Sequence, residues 1–186
     1  MNESEAVARL KHGDIQGLET LVSLYQQQAL DVAYLICANY ALSEDVVQSA
    51  FLRVYERIDQ FDARRPFGPW FLRTVVNDTL KAVMRRQNFS LDSDDSGIDA
   101  LLPPADDNLY AMVEAAETKE AIWRTLDSLS PGQRAAVVMR YYLDLSDPEI
   151  SAALQITQSS VRRRLHDARK RLRVLLPSWL ARPAED

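Results

Sequence analysis

Apolar positions along most of the chain recur at intervals of three and four, the spacing of one helix face. Between residues 15 and 40 they fall at Leu18, Leu21, Val22, Tyr25, Ala29, Val32, Ala33, Ile36 and Tyr40. A second run, Val47, Ala50, Phe51, Val54, Ile58 and Phe61, predicts a helix near 44–60. Ser43 is its expected N-cap, with Glu44 and Asp45 in a first turn where the helix dipole favours negative charge. A third helix is expected from about Trp70 to Arg86, with Phe71, Val75, Thr79, Leu80 and Val83 near one face. The two prolines and one glycine of Asp62–Pro69 predict a turn before it.

The C-terminal part holds three helix starts of one chemical kind. Ser130-Pro131-Gly132-Gln133 and Ser146-Asp147-Pro148-Glu149 both match the capping box with an early proline, and Thr157 is a third N-cap. Helices are expected over 131–143, 147–153 and 158–175, preceded by one near 109–127. A short helix, the connector Leu154-Gln155-Ile156 and then a long helix have the spacing of a helix-turn-helix. Ile150, Leu154, Ile156, Val161 and Leu165 are its expected small core. Val161, Leu165, Ala168, Leu172 and Leu175 form the inward seam of the long helix, spaced 4, 3, 4, 3. Its other faces carry Gln158, Ser159, Ser160, Arg162, Arg163, Arg164, His166, Asp167 and Arg171, short polar groups followed by arginines. A recognition helix reads base edges near its N-terminus while flanking basic groups hold phosphate.

Between these parts, Asn88–Asn108 gathers Asp, Ser, Gly and a Pro pair, and helical periodicity lapses. Twenty irregular residues are unusual inside one compact domain, so the expectation is two helical domains, 1–87 and 109–186, joined by an acidic linker over 88–108. The fold class is all-α. The 186 residues carry a net charge of −5, but the charge is uneven: 91–118 holds 8 acidic side chains and no basic one, whereas 162–173 holds seven basic side chains against Asp167. Such asymmetry points to an interaction surface. Of the basic residues, 18 are Arg and 4 Lys, and Arg suits bidentate contact with phosphate and bases.

Other chemistry is sparse. One cysteine, Cys37, cannot form an internal disulfide, and two histidines make a Cys/His zinc site improbable. Cys37 reads as a small core residue and His12 as surface. Asp92, Asp94 and Asp95 lack the glycine and distal Glu of a calcium loop. No Ser/His/Asp set or phosphate-cradling glycine loop is visible, so the expected function is binding rather than catalysis, with no cofactor and no small-molecule substrate. No apolar run approaches the ~18 residues of a membrane span, and Met1–Lys11 lacks a signal-like apolar stretch, which places the chain in the cytoplasm.

Ser43-Glu44-Asp45-Val46-Val47-Gln48-Ser49-Ala50-Phe51-Leu52-Arg53-Val54-Tyr55 resembles the second conserved region of bacterial sigma factors. Pro66–Asp78 resembles the segment that follows it in the extracytoplasmic function (ECF) group. Leu129–Arg134 and Val161–Leu172 look like that group's fourth region. The resemblance covers nearly the whole chain, in order, and implies a dissociable specificity subunit of RNA polymerase. It implies docking of Asp45, Gln48, Leu52 and Glu56 on the polymerase β′ coiled coil, with β as a further contact and promoter DNA as a partner. An anti-sigma factor is a further implied partner.

For the −10 element, read as a melted strand, the matching positions are the loop Asp62–Phe67, with Arg64, Arg65 and Phe67, and then Trp70, Arg73, Asn77, Lys81, Arg85 and Arg86. A basic track with aromatic platforms or pockets is what unstacked bases need. The same spacing makes Phe61, Phe71 and Trp70 candidates for the helix seam, and Asn77 is either a base-reading amide or a satisfied buried one. For the −35 duplex, the matching positions are the polar faces of the long C-terminal helix. Two departures stand out: Gln155 where the turn often has Gly, and Asp167 where many relatives have Arg. The implied path of the linker is the polymerase interior, where its acids either mimic nucleic-acid charge or keep the segment solvated and extended. A stand-alone helix-turn-helix dimer and a helical regulator of another sigma factor are the rival readings.

Overall fold

A computed structural model of the chain describes residues 2–90 and 126–175, and these divide between two units. Every regular element among the described residues is helical. The bulk of the linker and the expected helix near 109–127, apart from its last two residues, lie outside the described residues.

In the first unit, α1 (Glu3–Lys11) lies on α2 (Gln16–Cys37), and α2 packs with α3 (Tyr40–Arg57) and α4 (Phe67–Ser90). A 3₁₀ turn, Ile58–Gln60, follows α3. Helix α1 is not among the elements that the periodicity predicts. Its reasons are local: Asn2 Oδ1 accepts from Glu5 N at 2.8 Å, acidic Glu3 and Glu5 open it, and basic Arg9 and Lys11 close it. Ala6, Val7 and Leu10 face inward. Gly17 permits this seating, because a Cβ there would lie 2.4 Å from Ala6 O and 2.7 Å from Leu10 N.

Ser43 is not the cap of α3. Ala38 ends α2 in a left-handed conformation (φ 52°), Asn39 follows in an extended one, and Asn39 Oδ1 accepts from Leu42 N at 2.8 Å. Ser43 is therefore one turn inside the helix and fully buried, its Oγ donating to Asn39 O. Cys37 is half-buried beside it, with Sγ 3.2 Å from Ser43 Oγ.

The segment 62–69 is a turn only as far as Pro66. Helix α4 starts at Phe67, three residues earlier than expected, and runs to Ser90. Pro69 is harmless in the first turn, where its missing N–H would have no partner within the helix. Glu3 supplies the cap from the far end of the sequence: its carboxylate accepts from Phe67 N at 2.9 Å and from Gly68 N at 3.4 Å. Beneath it lies an aromatic cluster. Phe67 stacks on Phe71 at 5.5 Å, Phe71 meets Phe51 at 4.5 Å, and Phe61 meets Trp70 at 4.8 Å. Phe61, Phe67 and Phe71 are buried, which assigns them to the core.

In the second unit, α5 (Pro131–Val137) and α6 (Asp147–Leu154) both pack on α7 (Gln158–Leu175). The expected helix 131–143 changes character midway. Val138–Tyr142 is a π-helical turn closed by Leu143 N donating to Val138 O at 3.1 Å, and Asp144 follows at φ 50°. The caps fall where the sequence placed them. Ser130 and Gln133 form a reciprocal box, Glu149 accepts from Ser146 N and Oγ, and Thr157 Oγ1 accepts from Ser160 N at 3.2 Å. Ile150, Val161, Leu165 and Ala168 are essentially fully buried, while Leu154 and Ile156 are only half-buried.

Candidate nucleic-acid and polymerase interfaces

Helix α3 turns Val46, Val47, Ala50, Phe51 and Val54 into the core, and this fixes what faces outward. Asp45, Gln48, Leu52 and Glu56 follow at steps of 3, 4 and 4, so they share one stripe, and all four are exposed. Leu52 is 56% exposed and Tyr55, which the sequence reading passed over, is 47% exposed on the same side. They set two large apolar groups on an otherwise polar stripe. An open apolar groove of about 340 Å³ between α2 and α3, lined by Leu18, Val22, Leu30, Val47, Phe51 and Leu52, runs alongside.

Helix α4 divides in the same way. Leu72, Val75, Val76, Thr79, Leu80 and Val83 point inward. Trp70, Arg73, Asn77, Lys81 and Arg85 follow at steps of 3, 4, 4 and 4 on the other side, joined by half-exposed Met84. Trp70 is half-buried, one face held by Phe61 and Phe67. Asn77 is also half-buried, and its amide has no hydrogen-bond partner among the described residues, so the satisfied-buried-amide reading does not hold here. Arg86 is exposed but does not belong to this stripe: at about 100° per residue it lies roughly 160° from Trp70 around the helix. Phe67 does not belong to it either, being 0% exposed, so its side chain has no surface for a base.

The loop before α4 is tied to itself. Asp62 Oδ1 accepts from Arg64 N at 3.1 Å and from Arg64 Nε at 3.0 Å, and Arg65 Nε lies 3.8 Å from the other oxygen. These hydrogen bonds from Arg64, with the charges of Arg65 and Lys11, hold the Asp62 carboxyl below its ordinary value. Arg64 is nonetheless 91% exposed, because the pair sits on the surface. Arg53 pairs with Asp78 at 2.6 Å, which joins α3 to α4.

On α7 the arginines differ in what they do. Arg162 Nε lies 3.8 Å from Asp147, whose carboxylate also accepts from Arg140. The Arg164 guanidinium packs on Gly132 at the start of α5, where a Cβ would come within 3.0 Å of it. Arg171 donates to Ser128 O. The Ser159 and Ser160 hydroxyls both lie 2.9 Å from the Thr157 hydroxyl and belong to the cap. Gln158, Arg163, His166 and Asp167 are exposed with no partner among the described residues, and so are Arg169, Lys170 and Arg173, which the sequence reading did not single out. The turn between α6 and α7 puts Gln155 at φ 53°, the left-handed conformation for which Gly is the usual residue.

Comparison with known proteins assigns both units. Residues 21–89 match Sigma-70 region 2, and residues 119–172 match Sigma-70, region 4. The ECF RNA polymerase sigma-E factor of Escherichia coli (strain K12) is 30% identical over 182 residues, covering 91% of this chain and 92% of its own. The chain belongs to the ECF group of the sigma-70 family. The ECF RNA polymerase sigma factor SigW of Bacillus subtilis (strain 168) is 27% identical to this sigma factor over 179 residues, covering 90% and 92%. Its fold resembles that of CnrH, solved in complex with the cytosolic domain of CnrY (TM-score 0.62, 23% identity, 93% and 96% of the two chains). It also resembles sigma factor RpoE from Bartonella quintana, solved in complex with the anti-sigma factor NepR (TM-score 0.63, 19% identity, 84% and 94%). Membership makes this sigma factor a subunit for promoter-specific transcription initiation, a DNA-binding initiation factor rather than an enzyme. Among the described residues no helix is long and apolar enough to cross a membrane.

Proposed function

We propose that this sigma factor reads a −35 duplex with α7 and captures unpaired −10 bases with the 62–66 loop and the outer stripe of α4. The stripe Asp45, Gln48, Leu52 and Glu56 docks on the β′ coiled coil of core polymerase. The observation that carries the reading is the division of α4: one side is committed to the core, and the other is a track of half-buried Trp70, Arg73 and Asn77 that continues into exposed Lys81 and Arg85. Flanking bases can stack on the open side of Trp70, the Asn77 amide is unengaged, and the basic groups follow the phosphates. Arg64 and Arg65 join once Asp62 releases them.

In α7 the base-facing positions are Gln158, Arg163, His166 and Asp167, while Arg162, Arg164 and Arg171 hold the recognition helix to its own domain as much as they meet phosphate. A carboxylate at 167 accepts only, so it selects a donor such as cytosine N4 where an Arg would select guanine. Neither domain need bind tightly alone, because one polymerase tethers both. An anti-sigma factor, the kind of partner with which the Bartonella RpoE was solved, is the further partner of this reading.

In vitro transcription with core polymerase and promoter fragments tests the reading. Start-site-specific RNA that requires this chain is the expected result, and a footprint on symmetric half-sites without polymerase would favour a stand-alone regulator. Asp45→Ala with Gln48→Ala should weaken core binding. In a binding-site selection, Asp167→Arg should change the preferred −35 sequence; an unchanged preference removes the base contact at that position.

A further inference from the structure

We propose that α1 is a strap that sets the shape of the −10-reading loop, with Glu3 and Lys11 as positioning residues. The proposal rests on the reading of that loop given above. The segment from Phe61 to Gly68 leaves the 3₁₀ turn and enters α4, and α1 holds it at both ends. Lys11 Nζ, in the last turn of α1, donates to Phe61 O at 2.6 Å. Glu3, at its first residue, accepts from Phe67 N and Gly68 N, and Tyr25 OH donates to the same carboxylate. One rigid helix of nine residues thus fixes the distance between the two ends of the loop.

The contacts are made possible by two close approaches. Gly17 lets α1 sit against the α2 backbone, which sets where Glu3 and Lys11 fall. Gly68 lets Tyr25 cross the start of α4, since a Cβ there would lie 2.7 Å from the Tyr25 ring and hydroxyl. Of the first three residues of α4, two donate to Glu3 and the third, Pro69, has no N–H, so the entry of this helix depends on a carboxylate more than sixty residues away in sequence. Between the two anchors, Arg64 and Arg65, the residues read as meeting DNA, have only Asp62 among the described residues to organise them. A loop whose ends are free would reach the same bases with a larger ordering cost.

The sign of the effect separates a strap from plain electrostatics. Glu3 is an anionic group close to a nucleic-acid track, so removing its charge alone should tighten binding to any strand. Loss of the strap should instead weaken the choice of one strand over another. The test uses the full chain and its holoenzyme. First, hydrogen exchange compares wild type with Glu3→Ala, Glu3→Gln and Lys11→Met. Second, the holoenzyme binds a forked duplex whose single strand carries the sequence that wild type enriches from a random pool, and the same fork with that strand scrambled.

Glu3→Ala should raise exchange of the 61–70 amides by about tenfold, the effect of losing a helix cap, with α3 and α7 unchanged. Glu3→Gln, which keeps one acceptor, should do less. Both Glu3→Ala and Lys11→Met should lower the selected-to-scrambled binding ratio while core affinity holds. Unchanged exchange, or a uniform rise across α2, α3 and α4, overturns the strap. A local rise with an intact ratio overturns the positioning role, and so does a Lys11→Met loss equal on both forks, which marks phosphate contact only. If wild-type holoenzyme enriches no strand, the −10 reading falls and takes the positioning role with it, while the exchange arm still decides whether α1 holds the loop.

Discussion

Gly17→Ala sets two ordinary effects against each other, and their magnitudes decide the outcome. Helix propensity favours Ala over Gly inside a helix by about 1 kcal/mol, so a reading of α2 alone predicts stabilisation. The structure predicts the reverse. The added Cβ would meet Ala6 O at 2.4 Å, Leu10 N at 2.7 Å and Leu10 Cβ at 3.0 Å. The first two are backbone atoms of α1 and cannot swing aside, so the whole helix must lift. Overpacking of this kind costs about 1–3 kcal/mol. Lifting α1 also begins to expose Val7 and Leu10, each worth about 1.5–3 kcal/mol when fully buried. After the propensity gain, a net loss of about 1–2 kcal/mol remains. Urea unfolding read by Trp70 fluorescence, with Trp123 and Trp179 replaced by Phe, isolates the first unit. A midpoint that holds or rises in Gly17→Ala would refute the close packing of α1 on α2.

Two further outcomes follow from single positions. Gln155→Gly should stabilise the second unit by about 0.5–1 kcal/mol, because Gln155 sits at φ 53°, where a side chain is strained; thermal unfolding that shifts downward would contradict it. Burial first, and then the hydrogen bond to Glu3, push the Tyr25 phenol up to about 12 from its ordinary 10.0. A raised folded value means that the neutral phenol is the favoured form. Its contribution to stability is therefore complete below about pH 10 and is lost as pH climbs to about 12. Ultraviolet titration should show Tyr25 ionising near pH 12, a step lost in Tyr25→Phe.

Elements whose causes are local were legible from the sequence. The seam of α7 reads directly from Val161, Leu165 and Ala168, and its flanking caps from Ser130, Ser146 and Thr157, because a capping box and a 4-3-4 spacing act within a few residues. The misreadings share a different cause. Ser43 precedes two acids and looks like a cap, but the left-handed Ala38 ends α2 early enough for Asn39 to take that role. The Phe67-Gly68-Pro69 run looks like a breaker, yet it opens α4 because Glu3 caps it from another part of the chain. Helix α1 itself has only three buried apolar positions, too few for a period to stand out, and is held by Gly17 and Arg9–Asp14 as much as by its own pattern.

The same distinction limits what composition says about the site. A run with seven basic side chains in twelve residues looks like a phosphate-binding surface of that full strength. In the folded unit, Arg162 faces Asp147, Arg164 lies on Gly132 and Arg171 holds Ser128 O, so these three tie α7 to its own unit as much as they charge it. Arg163, Arg169, Lys170 and Arg173 are exposed with no partner among the described residues, alongside Asp167, which opposes phosphate. The cationic charge that α7 leaves free for phosphate is therefore smaller than its composition suggests, since a phosphate contact contributes only where a cation is free to displace a counterion. On the proposed reading of α7, such a helix suits a subunit whose second foothold is on polymerase: it chooses among promoters once delivered, and the arginines that hold the helix in register serve that choice.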